Sequence, residues 1–138
     1  MPETIVLGYD GSDCADAALD EAVRLAAADG SRIVVAFCFH VWPGGGEAGD
    51  FAHELERMGR EVTATGVRKV EQAGVEAEAV LVDDRPAEGL AAIAERRGAR
   101  LIVVGTQGEH PIAGAILGSV PHKLLHISRI PVLVVPSG

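Results

Sequence analysis

Five short apolar segments, separated by stretches of longer hydrophobic period, leave few folds open to this chain. Residues 5–8 (Ile-Val-Leu-Gly), 33–37 (Ile-Val-Val-Ala-Phe), 75–82, 101–104 (Leu-Ile-Val-Val) and 132–135 (Val-Leu-Val-Val) are rich in β-branched residues and bounded by turn formers, which predicts strands. Four of them are nearly continuous apolar runs, as expected of parallel strands covered on both faces by helices. The third, Val75-Glu76-Ala77-Glu78-Ala79-Val80, alternates polar with apolar and predicts an exposed edge. Between the strands the period lengthens toward 3.6. Leu19, Ala22, Val23 and Ala26 share one stripe, and Phe51, Leu55, Met58 and Val62 a second. Leu90, Ile93 and Ala94 form a third, and Val120, Leu124 and Ile127 a fourth. Gly59 and Gly66 weaken the second helix without ending it. The resulting β-α-β-α-β-α-β-α-β order, with right-handed crossovers, predicts an α/β doubly wound open sheet with helices on both faces.

Length and charge narrow the function. At 138 residues the chain predicts one domain over 1–138, large enough for a core that needs neither metal nor disulfide. Twelve Lys and Arg stand against 20 Asp and Glu, and the formal charge of −8 disfavours nucleic acid or an anionic membrane as partner. Cys14 and Cys38 form no CxxC pair, which predicts a reducing, cytoplasmic setting. The N-terminus lacks a basic signal-like region, and the longest apolar run, residues 33–42, is too short to span a bilayer.

In doubly wound sheets, ligands bind outside the carboxyl ends of the strands, where strand order reverses. The fourth strand is followed by Gly105-x2-Gly108-x9-Gly118-Ser119, the sharpest motif in the chain. Glycine at 105 and 108 predicts a turn with positive φ and close backbone approach to a ligand. Gly118-Ser119 predicts a helix start whose unpaired N–H groups suit phosphate oxygens, with Ser119 either capping the helix or donating to a phosphate. Catalytic signatures are missing: there is no nucleophile elbow and no G-x4-G-K-(S/T) loop. A response-regulator receiver would require a lysine after the last strand, where residues 136–138 supply none.

This pattern resembles the nucleotide-binding branch of the universal stress protein family. The resemblance rests on Ile5-Val6-Leu7-Gly8-Tyr9-Asp10-Gly11-Ser12, His40-Val41, Pro86-Ala87, Leu101-Ile102-Val103-Val104-Gly105, Leu117-Gly118-Ser119-Val120 and Ile130-Pro131-Val132-Leu133-Val134-Val135-Pro136. It implies strand order 3-2-1-4-5 in an adenine nucleotide alpha hydrolase-like fold, with ATP or AMP bound between strands one and four. It further implies that Asp10 and the backbone of Val41 contact adenine and ribose, with Gly8, Tyr9 and Val104 lining the pocket. Gly105, Gly108, Gly118, Ser119 and Val120 would then form the ribose and phosphate loop. A regulatory module of stress response is implied, with slow ATP hydrolysis at most. A homodimer through residues 132–135, whose apolar edge invites a second copy, is also expected.

Several residues depart from the family pattern. Pro121 stands where nucleotide binders commonly carry a hydroxyl residue, and it removes a backbone donor from the helix start. Gln107, Glu109 and His110 stand where relatives often place Arg or Lys, and Asp84 where they often have glycine. A magnesium ion would reconcile phosphates with these acids. The alternative is a dimeric interaction protein of the same fold, serving a protein partner, that has lost phosphate affinity through Pro121 and Glu109. Trp42 predicts loop packing. His122 and His126 have chelating spacing without a third ligand, and Cys14 opens the first helix beside Asp13 and Asp16.

Overall fold

The computed structural model describes residues 2–40, 48–108 and 117–137. The elements follow in the order β1 (Thr4–Gly8), α1 (Asp13–Asp29), β2 (Arg32–Phe39), α2 (Ala48–Gln72), β3 (Ala77–Asp83), α3 (Pro86–Arg97), β4 (Leu101–Gly105), α4 (Ser119–Ile127) and β5 (Val132–Val135). All four ladders are parallel, and the sheet order is β3-β2-β1-β4-β5. Val41, Trp42, Pro43-Gly44-Gly45-Gly46, Glu109 and His110 lie outside the described residues.

The continuous apolar runs work as two-faced strands. Ile5, Leu7, Ile33, Val35 and Val103 point to one side, where Ala15, Ala18, Leu19, Ala22 and Ala26 of α1 and Val70 of α2 cover them. Val6, Val34, Ala36, Ile102 and Val104 point to the other, against Ala87, Leu90, Ile93 and Ala94 of α3 and Leu124 of α4. Side chains alternate along each strand, so one sequence run feeds both cores.

Three sequence expectations change. β5 is half-buried throughout, because it is the last strand of the sheet and has a neighbour on one side only. The second stripe is split: Phe51 is 58% and Met58 47% exposed, while Leu55 and Val62 are half-buried. Strand three starts at Ala77 rather than Val75, which is buried in the turn before it. α2 remains one 25-residue helix despite Gly59 and Gly66, whose missing side chains bring it close to the sheet. A Cβ at Gly59 would lie 2.6 Å from the Phe37 ring, and one at Gly66 3.0 Å from Val35.

The site follows from the two halves of this winding. α1 leaves the end of β1 toward one face, while α4 follows β4 on the other. The strands diverge in their connections between β1 and β4, where their carboxyl ends open a crevice.

Candidate functional site

The turn after β1 shapes one wall of the crevice. Tyr9 donates its N–H to Ala36 O at 2.9 Å, continuing the ladder one residue beyond β1. Asp10 Oδ1 accepts the N–H of Ser12 at 2.9 Å across Gly11, whose φ of +82° suits the missing side chain. Ser12 then caps α1, its Oγ accepting from Ala15 N at 3.2 Å. Asp10 is thus an Asx-turn residue, and the cap is its neighbour.

The glycines after β4 act through closeness. Neither Gly105 nor Gly108 has positive φ, which corrects the expectation from the motif. A Cβ at Gly105 would lie 2.7 Å from the backbone of Cys14, so β4 ends in direct contact with the first turn of α1. A Cβ at Gly108 would meet Asp10 Oδ2 at 3.0 Å, which joins the two strand ends across the crevice. Gly118 N donates to Thr106 O at 2.6 Å and so closes the base of the intervening connection. Gly118 is also the N-cap of α4, without a side-chain capping bond, and Ser119 is the first helical residue and exposed. Pro121 is buried within that first turn. Helix starts leave their first N–H groups without helical partners. With Pro121 lacking one, and Gly118 N bonded to Thr106 O, the turn offers those of Ser119 and Val120.

The cavity between these walls has a volume of about 460 Å³, within the range of small-molecule sites. Gly8, Tyr9, Asp10, Val104, Gly105, Gly108, Gly118, Ser119 and Val120 all line it, so the structure brings together every described residue picked out from the sequence. Phe37, Leu55, Met58, Leu90 and Gln107 join them. Leu55 and Met58 were legible only as part of a helical stripe, and their position here explains why Met58 is exposed. Among the described lining residues, Asp10 is the one with a carboxyl group, and none is Lys or Arg.

Two cations close in sequence to the lining residues Pro86 and Pro121 are engaged elsewhere. Lys123 Nζ lies 3.0 Å and Arg85 Nη1 3.9 Å from the same Glu88 carboxylate oxygen. Behind Tyr9, whose side chain is 3% exposed, its hydroxyl donates to Asp16 Oδ1 at 2.5 Å, and Lys69 Nζ donates to the same oxygen at 2.8 Å. Burial pushes the Asp16 carboxyl up, but the bonds from Lys69 and Tyr9 outweigh it and hold the carboxyl below the ordinary carboxylate range. Burial and the Asp16 bond together push the Tyr9 hydroxyl up.

Two thiols at or near the crevice are shifted in opposite directions. Cys38 lines it, and burial, then the nearby Asp84, push its thiol up to about 12. The Cys14 thiol is held down, first by a hydrogen bond with Ser137 and against the effect of burial, with Thr106 Oγ1 at 3.8 Å adding to it. His122 and His126 meet edge to face, with ring centroids 4.8 Å apart. Among the described residues no group of three or more His, Cys, Asp or Glu could hold a metal ion, and no helix is long and apolar enough to cross a membrane.

A doubly wound parallel sheet with a glycine-edged crevice at its switch point defines an α/β class of protein whose ligands bind at that point. The family model for the universal stress protein family matches residues 1–136, and the chain belongs to that family. The universal stress protein YxiE of Bacillus subtilis is 30% identical, over 98% of this chain and 99% of its own length. A universal stress protein of Thermus aquaticus is 34% identical over 98% of this chain and 99% of its own. A solved universal stress protein in complex with cAMP is similar in structure, with a TM-score of 0.79 and 30% identity over 99% of this chain and 98% of that one.

Proposed function

We propose that this chain is a regulatory module that binds an adenine nucleotide in the crevice between β1 and β4 and acts in stress response. The observation that carries the reading is the approach of Gly108 to Asp10 across a cavity whose lining is mostly apolar and whose rim holds the start of α4. In this reading the base lies against the apolar wall and Asp10 accepts from ribose or adenine. The phosphate meets the N–H groups of Ser119 and Val120, where the helix dipole favours an anion. Gly8, Tyr9 and Val104 line the base end, and Gly105 and Gly118 line the sugar and phosphate end while packing closely on Cys14 and Thr106. The part given to Val41 rests on the sequence resemblance. The cAMP-bound relative supports the ligand class.

The module acts by binding, with slow ATP hydrolysis at most. Of the titratable groups that line the crevice among the described residues, Tyr9 donates to Asp16, burial pushes the Cys38 thiol up to about 12, and Asp10 accepts the N–H of Ser12. Magnesium, if used, would arrive with the phosphates. A cytoplasmic homodimer completes the proposal. Val132–Val135 lies at the sheet edge, and α4 exposes Leu125 and Ile127 just before it. Apolar edges of this kind favour pairing with a second copy.

The bond from Gly118 N to Thr106 O and the missing donor at Pro121 favour a second reading: a dimeric interaction protein of this fold, with a protein partner and without useful nucleotide affinity. Calorimetric titration with ATP, AMP and cAMP, with and without magnesium, separates the two. The first reading expects saturable binding of at least one of them, whereas dissociation constants all above about 1 mM leave only the second.

A further inference from the structure

We infer that the crevice selects its ligand by phosphate charge, taking nucleotides with a single phosphoryl group, AMP or cyclic AMP, ahead of ATP. This rests on the adenine-nucleotide reading above and assigns the chemistry of the phosphate end of that same site. A triphosphate carries three to four negative charges, and proteins commonly meet them with Lys, Arg or a bound metal ion. Among the described residues the lining contributes no Lys or Arg and one carboxylate, Asp10. Of the cations on the adjoining helices, Arg85 and Lys123 share Glu88, Lys69 holds Asp16, and Arg57 and Arg60, on either side of Met58, face Glu54, Glu61 and Glu56.

Sequence closes the remaining route. Residues 106–120, which connect β4 to α4 and open that helix, and residues 40–50, which connect β2 to α2 and open that one, contain no Lys or Arg at all. They carry acids instead, Glu109 in the first and Glu47 and Asp50 in the second. Whatever path these connections take, neither brings a permanent cation to the site. Among the described residues, what the fold offers an anion is the pair of N–H groups at Ser119 and Val120 and a helix dipole worth roughly half a charge. That suits one phosphoryl group. Each further phosphoryl group would have to stand in a net acidic protein of formal charge −8, with no Lys or Arg among the described lining residues. The other end of the crevice, walled by Phe37, Leu55, Met58 and Leu90, asks for a large apolar or aromatic group.

The test is calorimetric titration of the full chain, in one buffer containing a chelator, with adenosine, AMP, cyclic AMP and ATP. AMP or cyclic AMP is expected to bind at least about tenfold more tightly than ATP, a gap equivalent to one charge-assisted hydrogen bond. ATP binding as tightly as AMP, or more tightly, overturns the inference and leaves the adenine-nucleotide reading standing. Failure of all four ligands to bind below about 1 mM overturns that reading, and the inference with it. The variant Gln107→Lys adds a cation to the turn beside Gly108. It is expected to raise the ratio of ATP to AMP affinity at least about tenfold. An unchanged ratio in a variant that still binds AMP shows that charge is not the selector.

Discussion

Gly105 and Gly108 stand three residues apart in one motif, yet alanine at each should fail in a different way. At Gly105 the new Cβ would lie 2.7 Å from the carbonyl carbon and oxygen of Cys14, about an ångström inside ordinary contact. That neighbour is the backbone of the first turn of α1, which cannot rotate aside. Overpacking of this kind costs about 2–3 kcal/mol, the upper part of the usual range. For a chain of this size that lowers Tm by about 8–12 °C. At Gly108 the new Cβ meets the end of a side chain, Asp10 Oδ2 at 3.0 Å, which can turn away. Reduced freedom of the unfolded chain offsets part of the cost, so G108A should stay within about 1 kcal/mol of the parent. Its carboxylate, however, has moved and the crevice has narrowed, and AMP affinity should fall at least about tenfold. Thermal unfolding and calorimetric titration of both variants read the two effects separately. A G105A protein as stable as the parent, or a G108A protein with unchanged AMP affinity, would refute the reasoning.

Tyr9→Phe removes the buried hydroxyl that donates to Asp16 at 2.5 Å and should cost about 1–2 kcal/mol in urea unfolding, with an unshifted midpoint as the contrary result. Asp16, with its carboxyl held below the ordinary range, contributes stability above a pH of about 4 that is lost as pH falls through the lowered value. The stability gap between the parent and Asp16→Asn should therefore be full at neutral pH and narrow steadily in acid, and a gap that persists undiminished at about pH 2 contradicts this. Light scattering at micromolar concentration should give twice the chain mass of 14.3 kDa if β5 pairs with a second copy, and a mass of one chain counts against that pairing.

Much of the architecture could be read from the residues. Continuous runs such as Leu101-Ile102-Val103-Val104 announce strands buried on both faces, and the alternating Glu76-Ala77-Glu78-Ala79 marks the edge strand that β3 proves to be. Strand order followed from the resemblance to a family, since periodicity does not record which strands are neighbours. The stripe rule misjudged Phe51 and Met58: it presumes a sheet beneath the whole helix, whereas the first half of α2 leans over the crevice, where Leu55 and Met58 form a wall. A glycine needed for positive φ and one needed for close approach look identical in a sequence, so the conformation of Gly105 and Gly108 was misread, though both line the crevice. The Tyr9–Asp16–Lys69 cluster gave no signal, because Lys69 is 53 residues from its partner and only the packing of α2 against α1 joins them.

The central claim is that the main-chain amides around the start of α4 receive a phosphate while the crevice holds the attached purine. Amide chemical shifts of the isotopically labelled chain, followed as AMP is added, test it most directly. The account predicts saturable shifts concentrated at Gly108, Ser119 and Val120, with smaller ones at Tyr9 and Asp10. Shifts absent from these positions, or appearing only on a remote face at the same AMP concentrations, would contradict it.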